Sequence, residues 1–117
     1  MFSLLYHRKG TAAADSRIAS HSHPFWQVEW IYSGRARFTV NNRTEEIGES
    51  EGLLISPGSG HRIRYLRKTT FFSIKFAAGS RTPIDGDLVG QVLTGPFNRA
   101  VGRALFSMLP EGEWVAP

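Results

Sequence analysis

The sequence predicts an all-β domain that ends in a short helical tail, and three observations carry that expectation. Turn signals recur about every six to twelve residues, at Ser33-Gly34, Asn41-Asn42, Pro57-Gly58 and Arg67-Lys68-Thr69. Between them apolar and polar residues alternate with the period of two that turns one face of a strand inward and the other to water. Past residue 77 the composition shifts to Gly, Pro, Ser and Asp, then to apolar residues at helical spacing. Short strands with frequent turns exclude an alternating α/β fold and point to a sandwich or barrel.

Element by element, residues 2–6 (FSLLY) read as an extended arm and 8–16 as a loop. Arg17 to Ser20 leads into a long strand from about His21 to Tyr32. Ser33-Gly34 signals a hairpin, and Arg35 to Val40 is the return strand. Asn41-Asn42 turns the chain into Thr44 to Ile47, and residues 48–52 form a polar loop. Leu53 to Ile55 is a short buried strand stopped by Pro57-Gly58. Strands over 61–66 and 71–76 complete the body. Residues 77–87 suit a linker, followed by helices from Asp87 to Leu93 and from Asn98 to Leu109, with Gly95-Pro96 between them. Asn98 is the expected N-cap, Pro110 the stop, and Val101, Leu105, Met108 and Leu109 an apolar stripe. Residues 1–80 are thus a β-barrel body with an N-terminal arm, and 81–117 a linker and helical tail of the same domain.

Length and composition narrow the class. A chain of 117 residues, 41% hydrophobic, has room for one core and no second folded module. Its apolar runs fall well short of the roughly 20 residues that span a bilayer, and MFSLLYHRKG lacks the charge order of a signal peptide. With no cysteine there is neither a disulfide framework nor thiolate chemistry, which makes the cytoplasm the expected compartment. The net charge of +4 comes partly from Arg35, Arg37, Arg62 and Arg64, which alternate with apolar residues. That pattern reads as the solvated outer face of half-buried strands, though a basic face also suits an anionic ligand.

Alternation assigns the barrel interior. If the histidines face inward, Phe25, Gln27, Glu29 and Ile31 join them, with Ala36, Phe38 and Val40, then Ile63 and Tyr65. Phe72, Ile74 and Phe76 would line the last strand, leaving Ser73 and Lys75 outside. The outer face of the first long strand carries Trp26, Val28, Trp30 and Tyr32, more aromatic surface than a monomer shows to water. The arm, the helical tail or a second subunit must cover it, so a homodimer is expected.

Chemistry concentrates in two short segments. HSHPFWQ holds His21, His23 and Gln27, and PGSGH delivers His61 from a tight turn. On one strand His21, His23 and Gln27 would share a face and meet His61 in a single cavity. Imidazole and amide both donate and accept hydrogen bonds, so the set can read a sugar or a small organic acid against aromatic walls such as Phe38 and Tyr65. The same imidazoles can hold a transition metal.

The segment HSHPFWQVEWIYSGRARFTV, followed by LLISPGSGHRIRY, resembles the N-terminal cupin domain of AraC-type transcription regulators over about residues 20–76. The resemblance implies a double-stranded β-helix of the jelly-roll kind. It also implies a domain that binds a small-molecule effector and forms a homodimer through a helical pair. DNA would be read by a helix-turn-helix domain that the family carries C-terminally and that these 117 residues do not include. In the wider cupin superfamily two histidines, a carboxylate and a third histidine hold a divalent metal. His21, His23 and His61 match the histidine positions, and Gln27 stands where the carboxylate usually is. A neutral amide is a weaker ligand for a dication, and Glu29 shares its face as a substitute. Ser56 and Ser50 also depart from the family pattern, at turn positions.

Two functions follow. As a sensor, the barrel binds its effector through His21, His23, Gln27, Glu29, Phe38, His61 and Tyr65, with no cofactor required. As a small metal-dependent cupin enzyme, an oxygenase or isomerase, it would hold zinc, nickel, iron, copper or manganese on His21, His23, His61 and Gln27. Glu29 and Tyr65 would then be the proton-transfer candidates. Gln27 and the helical tail favour the sensor.

Overall fold

The structure, a computed structural model, describes residues 2–79, 92–93 and 96–117. In chain order it has strands β1 (Phe2–Ala12), β2 (Arg17–His21), β3 (Trp26–Ser33), β4 (Arg35–Val40), β5 (Arg43–Gly48), β6 (Glu51–Ile55), β7 (His61–Tyr65), β8 (Thr69–Ala78) and β9 (Val92–Leu93). Helix α1 (Pro96–Met108) and strand β10 (Gly112–Val115) follow. The strands form a six-stranded sheet in the order β10-β1-β8-β3-β6-β9 and a four-stranded sheet in the order β2-β7-β4-β5. From β1 to β8 every connection except β4–β5 carries the chain from one sheet to the other, which is the winding of a double-stranded β-helix.

The turn residues explain that path. Asn41 and Asn42 take φ of 48° and 66°, the left-handed pair a tight two-residue hairpin needs, and asparagine tolerates it. Ser33-Gly34, expected as a hairpin, is a crossover: β3 and β4 lie in different sheets. Gly34 has φ of 105°, and a Cβ there would collide with the Lys68 carbonyl and Thr69, so the connection needs glycine. Between the sheets lies an apolar core that includes Ile31, Phe38, Ile47, Leu53, Ile55 and Ile63, each no more than 2% exposed.

Several expectations are corrected by strand pairing. The N-terminal arm and the first part of the expected loop are one strand, β1, paired with β8 from Phe2 to Ala12, and only residues 13–16 remain a loop. The strand expected from His21 to Tyr32 is interrupted around Pro24, so His21 belongs to one sheet and Gln27 to the other. Glu51 and Gly52, placed in a loop, begin β6. β8 faces the opposite way from expectation. Phe76, Ile74 and Phe72 lie beside Trp26, Val28 and Trp30 on the outer face, while Phe71, Ser73 and Lys75 face in with Ile31, Glu29 and Gln27. The Phe71-Phe72 doublet leaves the phase open in the sequence, and the register with β3 decides it.

One end of the aromatic outer face, at Trp30 and Tyr32, is covered by α1. Phe106 stacks on Tyr32 at 4.3 Å and tilts against Trp30 at 6.3 Å. Gly102 lies so close to the Trp30 indole that a Cβ could not fit. The last turn of α1 has no basic residue of its own. Instead Lys9 of β1 donates to the Phe106 and Leu109 carbonyls at 2.7 and 3.2 Å, capping the negative end of the helix. β10, which the sequence did not suggest, pairs with β1, and Trp114 stacks on His7 at 5.5 Å.

The tail also differs in detail. The second helix begins at Pro96, where proline is favoured in a first turn, so Asn98 lies inside it. Of the helix expected over 87–93, Val92 and Leu93 are a strand against β6, and the rest lies outside the described residues. Most of the proposed linker does too. Val101, Leu105 and Met108 are 42%, 36% and 78% exposed, so the apolar stripe points away from the sheet that α1 covers.

Candidate ligand site at the end of the barrel

Three chain segments converge at one end of the barrel. His21 closes β2, His61 opens β7, and the two are cross-strand partners with ring centroids 4.3 Å apart. His23 enters from the crossing segment between β2 and β3, 5.0 Å from His61 and 5.7 Å from His21. The shared face expected from period-two alternation is therefore not the reason they meet. Neighbouring strands of one sheet bring His21 and His61 together, His23 joins from the crossing segment, and the Gly58 amide fixes that crossing by donating to the His23 carbonyl at 2.9 Å.

Each ring is oriented by a backbone carbonyl two residues away. Nδ1 lies 2.9 Å from the Ala19 oxygen in His21, 3.1 Å from that of Phe25 in His23, and 3.0 Å from that of Ser59 in His61. In His21 and His61 an Nδ1–H donating to a carbonyl leaves Nε2 as the free acceptor or metal donor. The turn beneath His61 is itself braced, because the Ser56 and Ser59 hydroxyls bond at 2.7 Å and Asn41 donates to Ser59 at 3.3 Å. Burial deepens from exposed His21 through His23 to His61, which is 1% exposed. The His61 Nε2 is buried without a partner. Desolvation, with the nearby charges of His21 and His23, holds the His61 imidazole below its ordinary range, favouring the neutral ring.

A hydrogen-bonded chain leads inward from this cluster. His23 Nε2 lies 2.5 Å from Gln27 Oε1, and Gln27 Nε2 donates to Glu29 Oε1 at 2.5 Å. Burial pushes the Glu29 carboxyl up to about 7, against the opposing pull of Ser73, Gln27, Lys75 and Arg8. Phe25 stacks on His23 at 4.1 Å, and Lys75 lies over the Phe25 and Tyr6 rings at 5.8 and 4.3 Å.

The expected site residues thus separate into two groups. His21, His23, His61, Gln27 and Glu29 form one connected cluster. Phe38 and Tyr65 belong to the apolar core, 0% and 3% exposed; the Tyr65 hydroxyl is buried without a partner, and its pKa is raised by desolvation and by Glu29. Ser73 and Lys75 were assigned to the outside, yet they pair with Glu29 and Gln27 on the inner face. Reading β8 as Phe71-Ser73-Lys75 inward was the signal that would have found them.

A divalent metal, which this kind of site implies, fits the donor set. One ligand atom from each of His21, His23 and His61 lies within 4.8 Å of the others, and the His61 Nε2 awaits a partner. Gln27 fits less well, since its oxygen lies against the His23 Nε2 that a cation would occupy.

Two facing antiparallel sheets with three imidazoles at one end define a cupin-type barrel. The sequence matches the AraC-like ligand binding domain model over residues 6–85, and the chain belongs to that family. No protein of curated function matches it significantly. Solved structures with the same fold include a conserved protein of unknown function from Streptococcus pyogenes (15% identity, 68% of this chain and 75% of that one, TM-score 0.61). An RmlC-like cupin from Shewanella frigidimarina is 12% identical, with 68% and 77% covered and a TM-score of 0.58. An oxalate decarboxylase of Bacillus subtilis is 21% identical, with 67% of this chain and 22% of that one covered and a TM-score of 0.55. Among the described residues no helix is long and apolar enough to cross a membrane.

Proposed function

We propose that this chain is the effector-sensing and dimerisation domain of an AraC-type transcription regulator, acting in the cytoplasm. Its effector, a small organic acid or a sugar, binds at the His21–His23–His61 end of the barrel. The buried, partnerless Nε2 of His61 carries this reading. In a turn whose other polar atoms are bonded, such an atom is what a ligand group satisfies. Gln27 and Glu29 add donors and acceptors, and the charge of Lys75 on the same face favours an acid over a neutral sugar. Signalling requires that the effector bind one arrangement of the domain better than another. β1 and α1 are suited to transmit it, because Lys9 ties the helix end to the strand. DNA contact belongs to a helix-turn-helix domain outside this sequence, and the homodimer to the exposed stripe of α1.

A second reading is favoured by the three carbonyl-oriented imidazoles, with the Nε2 atoms of His21 and His61 left to the site. It is a small metal-dependent cupin enzyme, an oxygenase or isomerase, with zinc, nickel, iron, copper or manganese on His21, His23 and His61. The metal would supply Lewis-acid polarisation of a bound oxygen. The chain's own part would be to position that oxygen and to hold a proton at Glu29.

Metal analysis of untagged protein never exposed to a metal column separates the two. The sensor reading expects no stoichiometric metal, and a melting temperature raised by an organic acid in wild type and not in His61→Ala. About one transition metal per chain, lost in His61→Ala, sinks that reading in favour of the enzyme.

A further inference from the structure

The outer face of the four-stranded sheet carries a basic groove that the barrel-end site does not use. Arg62 and Arg64 of β7 form its floor, Arg17 of β2 one wall, and Arg37 and Thr39 of β4 the other. It encloses about 470 Å³, within the range of small-molecule sites, which runs from about 300 to 1,000 Å³. A second hollow of about 280 Å³ shares Thr39 and Arg62 and extends it to the Asn41-Asn42 turn.

Strand register makes the arginines a block. Arg17 lies opposite Arg64, and Arg64 opposite Arg37, so three guanidinium stems rise from neighbouring strands about 5 Å apart. Like charges directly opposite one another destabilise a sheet. Local acids relieve part of the block: Glu46 takes Arg37 at 2.7 Å and Arg35 at 3.1 Å, and Asp15 takes Arg64 at 3.2 Å. The side chains of Arg17 and Arg62 have no hydrogen bond or ion pair among the described residues. The Arg64 Nε is buried with no acceptor. Open donors, unrelieved like charge and a metabolite-sized hollow therefore coincide.

We propose that this groove is a second ligand site, taking a small polyanion with closely spaced charged groups, a polyphosphate or a polycarboxylate. Its cations stand about 5 Å apart across strands and about 7 Å apart along β7, a compact grid unlike the stripe that follows a nucleic-acid backbone. Asp15 and Glu46 at opposite margins repel a longer polyanion that would run past them.

Calorimetric titration with inorganic tripolyphosphate and, separately, citrate tests this, and the tighter of the two identifies phosphate or carboxylate chemistry. Saturable one-to-one binding is expected. Arg17→Gln and Arg62→Gln should each weaken it about tenfold or more, the loss of a charge-assisted hydrogen bond. His61→Ala, which alters the barrel-end site, should leave it as it is. Relief of like charge should keep the melting temperatures of both arginine variants at or above wild type. Absence of saturable binding, or affinity untouched by both arginine variants, overturns the proposal. So does lowered melting in both, which would make the arginines structural. Random-sequence duplex DNA bound more tightly than either small anion, through the same arginines, also overturns it.

Discussion

The two sheets dispose of their outer faces in opposite ways. The six-stranded sheet presents Trp26, Val28 and Trp30 beside Phe76, Ile74 and Phe72, and α1 lies over the Trp30 end of that surface. The four-stranded sheet presents Arg17, Arg37, Arg62 and Arg64, and among the described residues no helix lies across it. Covering an aromatic face gains apolar burial but fixes a neighbour in place. A charged face keeps its hydration and stays available to partners. The helix that follows the barrel is thus part of its stability, while the arginine face is free to vary with function.

Truncation on each face tests that contrast most directly. Trp30→Ala removes a side chain 4% exposed that is stacked on Phe72 at 5.3 Å, and should cost about 3–5 kcal/mol in urea unfolding. Arg37→Ala on the other sheet should change stability by less than about 1 kcal/mol. Comparable losses from the two variants would end the distinction.

The inner faces differ as well, because the six-stranded sheet alone buries a carboxyl between the layers. Glu29 has an ordinary value of 4.5, raised to about 7 by burial. The native state therefore holds that proton more tightly than the unfolded chain does. Stability from this group is intact below about pH 4.5, declines between pH 4.5 and 7, and is fully lost above. Glu29→Gln, neutral throughout, should therefore gain up to roughly 3 kcal/mol over wild type at pH 8 and little at pH 4. An advantage of equal size at both pH values would show that charge is not the cause.

The smallest effect on folding is expected from Val101→Glu combined with Leu105→Glu on the exposed side of α1. Unfolding should shift by less than about 1 kcal/mol, while sedimentation should move from dimer to monomer. Unchanged sedimentation would remove the helix from the proposed interface and leave it only its covering role.

The sequence made the barrel legible where chemistry is local. Asn41-Asn42 announced the hairpin, Pro57-Gly58 the turn before His61, and the alternation through Arg35–Val40 its strand. It was illegible where a distant partner decides. β1 is a strand because β8 and β10 flank it, and residues 112–115 are extended because β1 lies beside them. Neither fact can be read from local propensity, since pairing confers much of a strand's preference. The site shows the same division. His21, His23 and His61 were visible as unusual residues at short spacing, but their meeting depends on the pairing of β2 with β7 and on the interruption around Pro24. Lys75 and Ser73 were lost to one ambiguous doublet, Phe71-Phe72.

The carbonyls that hold the three Nδ1 atoms have a further consequence. An imidazole free to turn about its side-chain bonds loses that freedom on binding, and affinity falls accordingly. Here the Ala19, Phe25 and Ser59 peptides have already restricted the rings as the chain folded. A guest at this end of the barrel meets little remaining disorder to quench. If the proposed site takes the effector, loosening the Ser59 peptide would weaken capture while leaving the three imidazoles in place, so part of the recognition strength would reside in the turn before His61.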